Sequence, residues 1–180
     1  AASDVYKRQV IEKMARDGYD FAVAFYNPNI VPAAEYEKRR EENRRLCEGR
    51  KIPFIELEYD NERWRNLIKG LENEPERGRR CDVCFYMRLK RVMEYARENG
   101  FDAVASVLGV SRYKDLAQVN RAAQKASAEC GVPYVEIEGR KGGMQERRQL
   151  LIRELGLYAQ DYCGCKPRVR ETADKKTPEL

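Results

Sequence analysis

The sequence contains no histidine. That absence removes Ser-His-Asp and Cys-His catalysis, histidine-ligated zinc and any imidazole base. Chemistry must come from Cys, Asp, Glu, Lys, Tyr or a cofactor. No apolar run approaches the roughly 20 residues needed to span a bilayer, and no secretory signal with an apolar core opens the chain. Internal repeats and low-complexity segments are also lacking. These absences lead to the expectation of a cytoplasmic protein with no membrane partner. In that compartment six cysteines point to metal or redox chemistry rather than to structural disulfides.

What is present is charge. Charged residues make up 36% of the 180, a length most simply read as one domain with a heavily solvated exterior. The net charge of +5 is modest but unevenly spread. From Glu76 to Arg91 six basic residues stand against two acidic ones, and from Arg140 to Arg170 eight stand against three. Such excesses read either as a solvated face or as a phosphate-binding surface, and the second would make nucleic-acid binding salt-sensitive.

Both basic excesses flank cysteine pairs. Cys81 and Cys84 form a Cys-x-x-Cys at the head of the longest expected helix, where a helix N-terminus favours thiolate charge. The pair reads as core cysteines or as two ligands of one metal centre. A zinc site or a [4Fe-4S] cluster usually takes four ligands, so others would have to be further cysteines or lie outside the chain. Cys163-Gly164-Cys165 permits a tight, labile disulfide, the intervening glycine easing the backbone. Dithiol redox work, metal ligation and a surface pair without function all remain open for it. Cys47 and Cys130, each at the end of a helical run, read as buried cysteines.

Along the chain, strands alternate with helices. The helical pattern begins at about Val10 and stops at Gly18. Strands are expected over Phe21 to Tyr26, Pro53 to Glu58, Ala103 to Leu108 and Pro133 to Ile137. Helices are expected over Ala33 to Glu48, around Trp64 to Leu71, from Cys81 to Gly100, up to Cys130, and over Gln145 to Leu155. The pattern predicts an α/β fold with an open, mostly parallel sheet flanked by helices. Residues 1–9 form an atypical start, 10–165 a single domain, and 166–180 a charged, flexible tail.

Ligands gather at the carboxyl ends of strands in such sheets. That rule makes Tyr26, Asn27, Ser111, Asp115, Arg140 and Lys141 candidates for substrate binding. The aromatics from Phe21 to Tyr26 otherwise read as core and strand end. In Ser111-Arg112-Tyr113-Lys114-Asp115, a hydroxyl, two cations, a phenol and a carboxylate meet at a strand exit. This loop could bind an anion or position a general acid, or Asp115 could simply cap the next helix.

Taken together, Phe25-Tyr26-Asn27-Pro28-Asn29-Ile30, Ile52-Pro53-Phe54-Ile55, Tyr59-Asp60 with Trp64, Glu76-Arg77-Gly78, Arg80-Cys81-x-x-Cys84-Phe85 with Arg88-Leu89, Ser111-x-Tyr113-Lys114-Asp115 and Leu157-Tyr158-x-Gln160-x-Tyr162-Cys163-Gly164-Cys165 resemble the QueH-type epoxyqueuosine reductases. The resemblance runs in family order over about Val10 to Cys165. It implies an adenine-nucleotide α-hydrolase-like (Rossmann-like) fold and the last step of queuosine biosynthesis, reduction of the epoxide on tRNA-borne epoxyqueuosine to an alkene. It further implies a [4Fe-4S] cluster, with an additional iron ion, and an external electron donor. On this chain Cys81 and Cys84 match two of the four cluster ligands, and Cys163 and Cys165 match a redox-active disulfide pair. Lys114 and Tyr113 are candidate proton donors.

One departure from the family pattern stands out. An opening strand with a Cys-Cys-x-Pro motif is expected where residues 1–9 stand, so a truncated or mis-assembled start, incompetent alone, is expected. Two other readings compete: a zinc-stapled RNA-binding module, and an ATP-using tRNA thiolation or adenylation enzyme. The latter predicts a Ser/Gly-rich phosphate loop after the first strand, which the sequence does not show.

Overall fold

The structure, a computed structural model, describes residues 4–111, 114–137 and 162–166, the first six of them through the backbone alone. Helix α1 (Asp4–Arg16) leads to β1 (Val23–Phe25), α2 (Ala33–Glu48), β2 (Phe54–Glu56), α3 (Asn61–Leu67) and α4 (Arg79–Glu98). Then follow β3 (Val104–Ala105), a 3₁₀ turn (Leu108–Val110), α5 (Leu116–Cys130) and β4 (Tyr134–Val135). Helix α1 begins at Asp4, inside the stretch read as an atypical start.

The strands pair in parallel, as β-α-β connections require. Ala24 lies opposite Ile55 in the β1–β2 pair, and Val104 opposite Tyr134 in the β3–β4 pair. Among the described residues these form two separate two-stranded sheets rather than one continuous sheet. The third strand is shorter than its apolar run suggested. Ser106 Oγ accepts the Leu108 N–H at 3.1 Å and draws the chain into the 3₁₀ turn, which ends the extended segment early.

The main core lies between α4 and α5. Phe85, Leu89, Met93 and Ala96 of α4 keep three- and four-residue spacing and meet Val119, Ala122, Ala123 and Ala126 of α5. Small residues on α5 let the two helices approach closely. Helix α5 stops at Gly131, whose φ of +70° is natural only to glycine and whose N–H caps the Ser127 carbonyl. A second cluster packs Tyr26, Leu57, Trp64, Ile68 and Met87 on the other face of α4, with Cys165 against it. Helix α4 is therefore the wall shared by both cores, and its head carries the Cys-x-x-Cys. No helix among the described residues is long and apolar enough to cross a membrane. The expected helix at 145–155, the loop at 139–143 and the tail from 167 lie outside the described residues.

Candidate functional site

The head of α4 is fixed by backbone hydrogen bonding. Gln118 on α5 donates through Nε2 to the Arg77 carbonyl at 3.1 Å and to the Gly78 carbonyl at 3.3 Å. Arg77 holds a left-handed φ of +69°, rare for a residue with a side chain, so this bracing matters. Arg79 N–H finds the Glu74 carboxylate at 3.1 Å. Cys81 sits in the first turn, and Cys84 one turn later, so both thiols share one face. Both are buried. Burial pushes each thiol above its ordinary range, against the pull of Lys114 on Cys81 and of Arg88 on Cys84.

Residues 162–166 fold back onto that face. Cys163 and Cys165 are half-buried free thiols. The side-chain hydrogen bond from Cys165, reinforced by the Lys114 ammonium, outweighs burial and holds Cys163 well below the ordinary thiol range. The same bond and burial push Cys165 up. Cys163 also raises the Cys81 and Cys84 thiols through its charge, which burial leaves poorly screened. The structure thus brings both cysteine pairs, over 80 residues apart in sequence, into one electrostatic neighbourhood.

Lys114 completes it. Its side chain is 4% exposed, and its Nζ lies 3.6 Å from Glu76 Oε1. Burial works to lower its pKa, but the Cys163 thiolate and the Glu76 carboxylate outweigh that, and the net direction is up. The lysine is therefore a charged ammonium held between a thiolate and a carboxylate. A cavity of about 170 Å³ opens here, lined by Glu76, Arg80, Tyr162, Cys163, Gly164, Cys165 and Lys166.

Two of the basic residues between Glu76 and Arg91, Arg80 and Arg88, turn inward, while Arg77 and Arg79 are exposed. Arg80 is 3% exposed and donates through Nη1 to the Glu72 carbonyl at 2.6 Å, while its Nε has no partner among the described residues. Arg88 donates through Nε to the Tyr26 carbonyl at 3.1 Å and through Nη2 to Asn27 Oδ1 at 2.5 Å. Tyr26 and Asn27 thereby tie the exit of β1 to α4; the buried Tyr26 hydroxyl has no partner among the described residues, and burial raises it to about 12.

Other sequence candidates divide by placement. Ser111 is buried, and its carbonyl accepts the Lys114 N–H at 3.1 Å, fixing the turn that delivers the lysine. Asp115 is the N-cap of α5, its Oδ1 accepting from Ala117 N–H at 2.8 Å and Gln118 N–H at 3.2 Å. Cys47 and Cys130 are buried, the latter in the α4–α5 core with its thiol 3.9 Å from the Lys90 carbonyl. Tyr113, Arg140 and Lys141 lie outside the described residues.

Sequence reading missed Arg39. On α2 it is fully buried, with Nε on Glu35 Oε1 at 2.7 Å, Nη1 on the Cys163 carbonyl at 2.9 Å and Nη2 reaching the Tyr162 carbonyl at 3.5 Å. A signal existed. Tyr36, Arg39, Asn43 and Cys47 are the buried residues of α2 and keep helical spacing, but the stripe is mostly polar and so is hidden from a hydrophobicity pattern.

The family model for epoxyqueuosine reductase QueH matches residues 5–170. The chain belongs to the QueH family of epoxyqueuosine reductases. Curated relatives of that name include one from Histophilus somni, 44% identical over 165 residues that cover 91% of this chain and 68% of the relative. One from Acinetobacter baylyi is 42% identical over 165 residues, covering 91% of this chain and 76% of the relative. One from Thermotoga maritima is 32% identical over 154 residues, covering 84% and 80%. The QueH match spans α4, Lys114 and the Cys-Gly-Cys turn alike, so the whole constellation lies within it.

Proposed function

We propose that this chain reduces epoxyqueuosine to queuosine in tRNA, with Cys163 and Cys165 as the two-electron couple and Lys114 as the proton donor. One observation carries the reading: Cys163, Gly164 and Cys165 line a small cavity beside the buried Lys114 ammonium, whose charge favours the Cys163 thiolate. Family membership supplies the substrate, and the site supplies a balanced reaction. Closing the thiolate–thiol pair to a disulfide releases two electrons and one proton, and the Lys114 ammonium gives a second proton. The epoxide consumes the two electrons and two protons as its two carbon–oxygen bonds break, leaving an alkene and one water.

Lys114 suits the proton transfer through its coupling to Cys163. While the thiolate is present, its charge keeps the proton on Nζ. Disulfide formation removes that charge and leaves chiefly Glu76 against the cost of burial, so the ammonium holds its proton less tightly. The proton becomes available as the oxygen leaves. Tyr113 is the second candidate donor. An external electron donor must reopen the disulfide for another turnover.

Cys81 and Cys84 would offer two thiolates to a [4Fe-4S] cluster or an iron ion, and their raised pKa values mean that metal binding would displace their protons. A bound centre of this kind supplies electron transfer and Lewis acidity. The described residues contain no group of three or more Cys, His, Asp or Glu disposed to hold a metal. Two thiolates do not make a full set of cluster ligands.

The parallel pairing within each strand pair supports an adenine-nucleotide α-hydrolase-like arrangement, and the tRNA substrate supports a cytoplasmic site of action. Exposed Arg79 and Lys166 would meet the phosphate backbone near a splayed anticodon base. Ser111, Asp115, Tyr26, Asn27, Arg140 and Lys141 would frame the entry. The test is direct. Anaerobically reconstituted protein is given tRNA bearing epoxyqueuosine, and nucleosides are read by mass spectrometry. We expect a product one oxygen lighter, absent with Cys163→Ser; a Cys163→Ser protein that still makes it at the wild-type level would overturn the reading.

A further inference from the structure

The turn that carries Cys163 and Cys165 is short, and among its described residues it has no regular secondary structure of its own. Something else must fix the direction of its sulfurs. Arg39 is that element. Its guanidinium is inaccessible to solvent, with an ion pair to Glu35 on one side and two backbone carbonyls of the turn on the other. The guanidinium carbon also lies 5.1 Å from the centroid of the Tyr162 ring. Burying a guanidinium is expensive unless its N–H groups are matched. Here the planar fork is matched by the two residues that lead into Gly164.

Gly164 supplies an independent observation. Its φ is +91°, and a Cβ at that position would stand 3.0 Å from Arg39 Nη1 and 3.1 Å from Nη2. The guanidinium therefore packs flat on the glycine, and the central residue of the Cys-x-Cys is fixed as glycine by both conformation and space. The Gly164 carbonyl in turn accepts the Val31 N–H at 2.8 Å, so the segment just before α2 grips the turn as well.

We propose that Arg39 is a positioning residue for the reaction: by clasping the Tyr162 and Cys163 carbonyls over Gly164, it holds the two sulfurs at the spacing from which they close to a disulfide. The inference rests on the reading of Cys163 and Cys165 as the electron source. A lysine could replace the charge but could not span both carbonyls in the plane of a fork.

The test uses the full chain in buffers of reduced and oxidised glutathione, without tRNA. Closure of the pair reduces one glutathione disulfide to two glutathiones. The closed fraction is read by trapping free thiols with N-ethylmaleimide and weighing the peptide. For Arg39→Met we expect the closure constant to fall by about tenfold through lost effective concentration, with Arg39→Lys intermediate. Gly164→Ala, with Arg39 in place, should fall in the same direction. Far-UV circular dichroism and melting confirm that each variant is folded. If Arg39→Met does not fold, Arg39→Lys and Gly164→Ala decide. Folded variants whose closure constants stay within about twofold of wild type would overturn the inference alone. A wild-type pair that closes at no glutathione ratio would overturn the redox reading and the inference with it.

Discussion

The two cysteine pairs share one neighbourhood yet are set in opposite ways. On α4, a rigid helix buries Cys81 and Cys84 together, and both thiols are raised. On the turn, Cys163 is lowered and Cys165 raised, each by its bond to the other. A helix holds two thiols at fixed spacing on one face, which suits a shared ligand. A turn lets them face each other, which suits a bond between them. The same residue type thus acquires two chemistries from backbone geometry.

The comparison can be broken first by substitution. Cys163→Ser or Cys165→Ser should lower queuosine formation by about 10³-fold or more, because a single remaining thiol cannot close the disulfide that releases the electrons. Serine at Cys163 that leaves single-turnover yield intact would remove the distinction between the pairs. Lys114→Met comes next. Loss of a positioned acid typically costs about 10²- to 10⁴-fold, and the defect should appear in kcat with binding of tRNA little changed.

A titration sharpens the contrast. A thiol whose pKa is lowered on folding contributes stability above its unfolded value, and that contribution is lost as pH falls through the folded value. Cys163 follows this sign. Cys81, Cys84 and Cys165 follow the opposite one: their contribution is complete below the unfolded value, near 8.5, and is lost as pH rises above it. Iodoacetamide near neutral pH should therefore label Cys163 well ahead of the other three in the metal-free chain, the gap narrowing as pH rises. Equal labelling of all four across the range would contradict this. The smallest effect belongs to Asp115→Ala. Loss of its two cap bonds should cost about 1 kcal/mol of stability, read as a lower melting temperature. An unchanged melting temperature would contradict the cap role.

Much of this arrangement was legible in the sequence, and the reasons differ by element. Helix α2 was expected over Ala33 to Glu48 and is found there, because charged residues of high helix propensity run unbroken to Gly49. The α5 stop at Cys130 followed from Gly131. The cysteine pairs were visible as spacings. What could not be read was which distant segments meet. Arg39 stands between Lys38 and Arg40 in a charged run, and only its helical spacing with Tyr36, Asn43 and Cys47, a mostly polar stripe, sets it apart. Arg80 and Arg88 likewise counted as basic surface, yet they face carbonyls inside. The third strand was overextended because its apolar run continues into a 3₁₀ turn, and strand length is decided by pairing rather than by hydrophobicity.

One measurement bears most directly on the claim that the turn, not the helix, supplies the electrons. Fully reduced, anaerobically reconstituted protein is mixed with excess epoxyqueuosine-bearing tRNA without any external donor, and disulfide and queuosine are counted in the same sample. We expect one Cys163–Cys165 disulfide for each queuosine formed, with no further turnover. Queuosine accumulating while that pair stays fully reduced would contradict it.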